Sequence, residues 1–231
     1  YLRIRFDTDQ ASGHNMATKA ADAIGLGLSE TFPKLKYLSV SANVCADKKC
    51  SAVNSILGRG KHVIAEITLS KADCQKWLRS TPEKIHNLHV KKNLMGSILA
   101  GSLRSANAHF ANMILAMYLS TGQDGANVVE ASQGITHIDI TDEGDLYVSV
   151  SIPNLIIGSI GNGKSIPFVH DNLDVLKCLD DAGELLPNSS QKLASIIAAT
   201  VLCGEISLLA AQTNPGELTR SHMVLERKER T

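Results

Sequence analysis

Two adjacent lysines preceded by an aspartate, Asp47-Lys48-Lys49, are the residues best suited to chemistry on a carbonyl or a carboxylate. An ammonium is a compact, charged donor of three hydrogens, so one lysine can hold a carboxylate while its neighbour steadies an oxyanion. Asp47 would orient the pair. Asp124, in Gly122-Gln123-Asp124, would raise the pKa of a second acid buried beside it and make that acid a proton donor near neutral pH. His222, in Ser221-His222-Met223, is the sort of group that protonates a leaving thiolate. Among eight histidines, His14 stands out because it lies in Gly13-His14-Asn15-Met16 at a helix start, whereas His109 reads as a packing residue. Standing alone, Asp-Lys-Lys is usually a solvated loop.

A second pattern is more conspicuous and less convincing. Residues Gly158 to Ser165 (GSIGNGKS) fit the phosphate-cradling loop GxxxxGK[ST] letter for letter. A working phosphate loop needs a helix that starts at the Lys-Ser, so that its N-terminus faces the phosphates. Here Ile166-Pro167 follows at once, and proline biases the residue before it away from helical geometry. No acidic strand end follows to hold magnesium. The segment reads as a glycine-rich turn. The five cysteines show no repeated CxxC spacing, which argues against a zinc site and a disulfide framework and for a reducing compartment.

These residues need elements to position them. A helix is expected over Asn15–Ser29, ended near Phe32-Pro33, with short strands at 1–6 and 37–41. Lys61–Leu69 alternates as a half-buried strand, and Ser70 caps a helix carrying the only tryptophan, Trp77. The Ala-, Ser- and Gly-rich stretch Leu94–Ser120 predicts one long central helix. Ile135–Ile140 and Leu146–Ile152 flank Asp142-Glu143-Gly144-Asp145 as a hairpin. A buried helix over 190–213 is stopped by Asn214-Pro215-Gly216, and the charged tail from Val224 is expected to be mobile. Strands and helices do not alternate regularly, which predicts an α+β fold. The 23 basic residues balance the 23 acidic ones, so no net field draws the chain to nucleic acid. The longest apolar stretch, Ile196–Ala211, is interrupted by Glu205, so no membrane contact is expected in this segment.

Taken in order, seven blocks resemble the 3-hydroxy-3-methylglutaryl-CoA (HMG-CoA) reductase family over nearly the whole chain. They are Gly13–Met16, Val40–Lys49, Lys92–Ser97, Asn107–His109, Gly122–Asp124, Ile157–Gly161 and Ser221–Met223. The resemblance is to the class found in eukaryotes, archaea and some bacteria. It implies reduction of HMG-CoA to mevalonate and CoA by two NADPH, without a metal. By motif, Lys48 stabilises the oxyanion, Asp124 tunes the network of Lys48 and a catalytic glutamate, and His222 protonates the departing thiolate. Ser41, Asp47, Lys49, Lys92, Asn107 and Ser221 would hold the substrate, and Gly13, His14, Asn15, Met16, Ile160 and Gly161 the cofactor.

The same resemblance implies a large α+β domain interrupted by a small ferredoxin-like NADP-binding domain. Residues 1–38 would be the C-terminal part of that small domain, and 39–231 the large substrate-binding domain. It also implies a homodimer or tetramer with active sites at subunit boundaries, Lys48 coming from one subunit and Asp124 and His222 from its neighbour. The catalytic glutamate, the dimer-forming segment and the patch for the NADP 2′-phosphate would lie upstream of Tyr1. The expected location is the cytoplasm, or the cytosolic side of a membrane-anchored protein if an N-terminal region is missing. Two departures from the family pattern stand out: Gln10 where it has an acid, and Lys164 in its glycine turn. They motivate the alternative of a non-catalytic acyl-CoA-binding homologue or subunit. Lys164 itself would be solvated or in contact with a phosphate, the former favoured.

Overall fold

Lys61–Leu69 forms strand β1 as its alternation requires, and Ile135–Ile140 (β2) and Leu146–Leu155 (β3) form the expected hairpin. The three make an antiparallel sheet in the order β1-β3-β2, with Val150 of the central strand facing Ala65 on one side and Thr136 on the other. Gly144 turns the hairpin at φ 85°, a conformation open to glycine at little cost. A computed structural model of the chain describes residues 1–161 and 163–226, save the side chains of 221, 222, 225 and 226. The charged tail beyond Glu226 lies outside the described residues.

Ten α-helices accompany the sheet among the described residues: α1 (His14–Thr31), α2 (Ala52–Leu57), α3 (Lys71–Leu78), α4 (Pro82–Leu88), α5 (Ser97–Leu99), α6 (Phe110–Ser120), α7 (Val128–Ala131), α8 (Pro167–Val175), α9 (Ser189–Gln212) and α10 (Glu217–Glu226). Ser70 caps α3 as expected, its hydroxyl accepting the Asp73 N–H. The mixture is α+β. One face of β3, Leu146, Val148, Val150 and Ile152, is wholly buried. Burying each such side chain contributes about 1.5–3 kcal/mol. Helix α9 lies against β1, β3 and α6. Its length and mean hydropathy of 2.0 would suit a membrane span, but its Leu193, Ile197, Val201 and Leu209 are buried in the core. Gly204 allows α6 to come close, since a Cβ there would stand 2.5 Å from Met113 Cγ.

Three expectations fail. Residues 1–6 and 37–41 form no strands. Alternation makes a strand only where a partner edge is available, and Tyr37 instead turns back on α1, its ring against Gly25 and its hydroxyl donating to Asp22 (2.7 Å). The stretch 94–120 is not one helix. A π-helical run, His89–Gly96, leads into α5, and the chain then breaks at Gly101 (φ 68°) and Arg104 (φ 49°) before α6. Competing backbone partners explain the break. Ala106 bridges Ile135 in parallel. The buried Glu205 carboxylate accepts the N–H groups of Ala108 and His109 and the Thr136 hydroxyl (2.7 Å). A carboxylate at those N–H groups favours starting a helix there.

Candidate active site

The Asp47-Lys48-Lys49 segment is a strained loop. Asn43, Ala46 and Lys48 all take left-handed backbone conformations (φ 59°, 53° and 55°), which asparagine adopts readily but which cost about 1 kcal/mol or more at each of Ala46 and Lys48. Such a loop persists only if its surroundings hold it. Asn54 Nδ2 donates to the carbonyls of Ala46 (2.9 Å) and Lys49 (3.0 Å). Arg59 donates through Nη1 to the Cys45 carbonyl (3.2 Å) and through Nη2 to Asp47 Oδ1 (2.6 Å). The fully buried Glu130 accepts the Lys48 N–H (3.1 Å) and Asn127 Nδ2 (2.8 Å) on Oε1, 3.5 Å from Arg59 Nε. Arg59 thus spans two carboxylates, one in the loop and one in the core. None of Arg59, Asn127 and Glu130 was expected from sequence; the one available signal was an arginine set between two glycines, Gly58 and Gly60.

Lys48 Nζ lies 2.7 Å from Asp124 Oδ2. The other carboxylate oxygen of Asp124 accepts the Ala126 N–H (3.0 Å) and caps the short 3₁₀ turn Gly125–Asn127. The hydrogen bond from Lys48 holds the Asp124 carboxyl below its ordinary range, and the same bond raises the Lys48 ammonium. Both groups are therefore charged at neutral pH. The two residues meet within this one chain. His14, at the start of α1, brings Nε2 within 3.8 Å of Asp47 Oδ1. The loop, the Asp124 turn and the first turn of α1 therefore meet.

The two expected cofactor segments also meet. Ala11 bridges Ile160 in parallel, and the Ser159 N–H donates to the Gln10 carbonyl (2.9 Å). Gly158 makes this approach possible, since a Cβ there would stand 2.3 Å from Ser12 N. Gly13 turns the chain into α1 at φ 82°, and no acidic side chain lies in that helix's first turn to repel an anion. Gln10 faces the start of α9, where its Oε1 accepts the Ser190 N–H (2.9 Å).

Lys164 is neither solvated nor presented as in a phosphate loop. Its Nζ donates to the carbonyls of Thr121 (2.9 Å) and Gly122, while α8 begins only at Pro167. Gln123 ties the same turn to Gly158, donating to its carbonyl (3.0 Å) and accepting its N–H (2.9 Å).

The remaining expected residues are more dispersed. Lys49 Nζ donates to the Asp47 carbonyl (3.1 Å), and Ser41 Oγ lies 3.6 Å from Cys45 Sγ. Lys92, in the π-helical run, reaches Asn93 Oδ1 (3.4 Å), and Asn107 Nδ2 is engaged by the carbonyls of Ser132 (3.1 Å) and Gly134 (3.0 Å). No hydrogen bond or ion pair among the described residues joins Lys92 or Asn107 to Lys48. Ser221 and His222 have their backbone in α10, and their side chains lie outside the described residues. Among the described residues no group of histidine, cysteine and acidic side chains is arranged to hold a metal.

Comparison with known proteins places this chain in a family. The family model described as hydroxymethylglutaryl-coenzyme A reductase matches residues 1–227. The chain is 44% identical to the 3-hydroxy-3-methylglutaryl-coenzyme A reductase of Pyrococcus horikoshii over 227 residues, covering 98% of this chain and 54% of that protein. It is 44% identical to the Aeropyrum pernix enzyme of the same name, covering 98% and 53%. With reductase 2 of Dictyostelium discoideum the identity is 41%, covering 99% and 43%. The chain spans about half the length of the curated relatives it matches. It belongs to the hydroxymethylglutaryl-coenzyme A reductase family.

Proposed function

We propose that the protein to which this chain belongs reduces HMG-CoA to mevalonate, with overall stoichiometry HMG-CoA + 2 NADPH + 2 H⁺ → mevalonate + CoA + 2 NADP⁺. The observation that carries this reading is the Lys48–Asp124 pair at 2.7 Å, beside the meeting of residues 9–16 with 157–161. Carbonyl reduction puts negative charge on oxygen, and a fixed ammonium lowers the barrier by meeting that charge as it forms. Lys48 is suited to this because the Glu130 bond to its own N–H fixes its backbone. Asp124 keeps the ammonium charged and aimed. Lys49 and Ser41 extend the same loop toward the substrate carboxylate and hydroxyl. Lys92, Asn107 and Ser221 are proposed to complete that site. His222 is assigned protonation of the departing thiolate.

NADPH, when bound, would supply hydride. Gly13 and Gly158 let the two segments pack closely, and Ile160, Gly161 and the first turn of α1 (His14, Asn15, Met16), held together in this way, would accommodate a cofactor's anionic and planar parts. Residues 1–38 would belong to a small ferredoxin-like cofactor domain and 39–231 to the substrate domain. The family's catalytic glutamate would come from the part of the protein that precedes Tyr1 or from a second chain. Exposed apolar side chains such as Ile56, Ile98 and Leu99 support a homodimer or tetramer. The expected setting is the cytoplasm or a cytosolic domain. The non-catalytic alternative loses its motive, because Gln10 and Lys164 both have structural partners.

The test is NADPH oxidation dependent on HMG-CoA by the complete protein. Lys48→Ala should abolish it, a drop of at least about 10²-fold, with the circular dichroism spectrum unchanged. Normal turnover by that variant would sink the assignment.

A further inference from the structure

The lysine that gives residues 158–165 their false phosphate-loop signature is half-buried, charged and unused by the chemistry above. Its two contacts are the backbone carbonyls of Thr121 and Gly122, at the C-terminal end of α6. A helix presents unpaired carbonyls and the negative end of its dipole there, so a cation at that point is favourable on both counts. Asn172 of α8 covers a third carbonyl, that of Ser120 (2.8 Å). The turn that follows leaves little room to move. Gly122 sits at φ 62°, and a Cβ on it would stand 3.1 Å from Val169 and 3.3 Å from the Gly163 carbonyl. Gln123 then fastens the turn to Gly158. Gly158, Lys164, Val169 and Asn172 therefore grip residues 120–123 from the side of the expected cofactor segment.

Asp124 is the next residue. One of its oxygens is fixed on the Ala126 N–H and the other meets Lys48, so its aim depends on the backbone of this turn. We propose that Lys164 is a positioning residue for Asp124: by gripping the Thr121 and Gly122 carbonyls it sets the turn that delivers the Asp124 carboxylate to Lys48. It thereby couples the glycine turn at 158–163 to the oxyanion site. It makes no phosphate contact. The catalytic consequence rests on the reductase reading; the positional claim does not.

Burial pushes the Lys164 ammonium down to about 8. The charged groups of the elements around it are otherwise engaged: Asp124 with Lys48 and Ala126, His170 with the Gly183 carbonyl, and Asp174 with Lys177. Asp171 lines a surface pocket beside His170 and Asp174. Above pH 8 the grip loses its charge.

The positional claim is read without turnover, by the ¹³C NMR titration of Asp124 in the complete protein and in its Lys164→Met variant. The wild-type carboxyl should titrate below the ordinary value of about 3.9, and the variant's should move up toward it. An unchanged Asp124 titration in a folded Lys164→Met protein overturns the proposal. Kinetics then test the consequence. Lys164→Met should lower kcat tenfold or more while the KM for NADPH stays within twofold. A tenfold rise in that KM with kcat retained would make Lys164 a phosphate contact and overturn the proposal. Should Lys164→Met fail to fold, the wild-type pH profile decides: kcat should fall between pH 7.5 and 9, and a level profile there overturns the proposal. Absence of wild-type turnover, with the Asp124 shift present, would fault the reductase reading alone.

Discussion

Lys48 and Asp124 meet at 2.7 Å, yet the two sides of the pair are held by opposite means. The lysine side is a loop with three left-handed residues, two of them strained, secured by a buried carboxylate and an arginine. The aspartate side is a turn after a helix, secured through backbone carbonyls, a glycine at close approach and one ammonium. The first hold is made of charge and must be satisfied as a set, because an unpaired charge in the core is very costly. The second is made mostly of shape, so its stability suffers less from a lost hydrogen bond than from an added atom, even where the aim of Asp124 suffers. The difference teaches that one ion pair can fail in two distinguishable ways.

The lysine side should break hardest when charge is removed. Glu130→Gln leaves the Arg59 guanidinium facing a neutral group and weakens the support of the Lys48 N–H. Loss of this buried charged acceptor should cost about 2 kcal/mol, read as a lowered urea midpoint at unchanged slope. Activity should fall with it, and a variant within 0.5 kcal/mol of wild type would show that Glu130 does not hold the loop. The aspartate side should break by addition. Gly158→Ala places a Cβ 2.3 Å from Ser12 N, where the neighbour is backbone and cannot rotate away. Overpacking of this kind should cost about 2 kcal/mol. It should also raise the KM for NADPH more than it lowers kcat; the reverse pattern would detach Gly158 from the cofactor side.

Why so much of the fold was legible follows from where its information is local. β1, the hairpin, α1 and α9 are each announced by periodicity, caps and turn residues within their own span, and they form within three residues of the expected bounds. The break between α5 and α6 was not legible, because it depends on Glu205, about a hundred residues away, accepting the Ala108 and His109 N–H groups. Tyr37 likewise answers to Asp22 rather than to its own alternation. In the site the reactive residues could be named by motif. Their supports could not. Arg59, Asn127 and Glu130 acquire meaning only when folding brings positions 47, 59 and 130 together.

The smallest effect on stability should come from breaking the meeting itself while leaving both holds in place. Lys48 and Asp124 are each about two-fifths exposed, at 40% and 38%, and a pair so open to solvent contributes about 1 kcal/mol or less. Asp124→Asn keeps the shape and can still accept the Ala126 N–H, so the melting temperature should hardly move. Turnover should nevertheless fall about a hundredfold, since a mis-aimed ammonium no longer meets the developing oxyanion. The pH dependence of the pair follows from its signs. Asp124, held below its ordinary value, adds stability that is present above about pH 3.9 and is lost as pH falls through its lowered value. Lys48, raised above its ordinary value, adds stability that is present below about pH 10.4 and is lost as pH rises through its raised value. Between those limits wild type and Asp124→Asn should differ by a small constant amount, and the difference should vanish at either extreme. A gap that persists at pH 2 would mean that Asp124 supports the turn by shape, as its neighbours do, and not through Lys48.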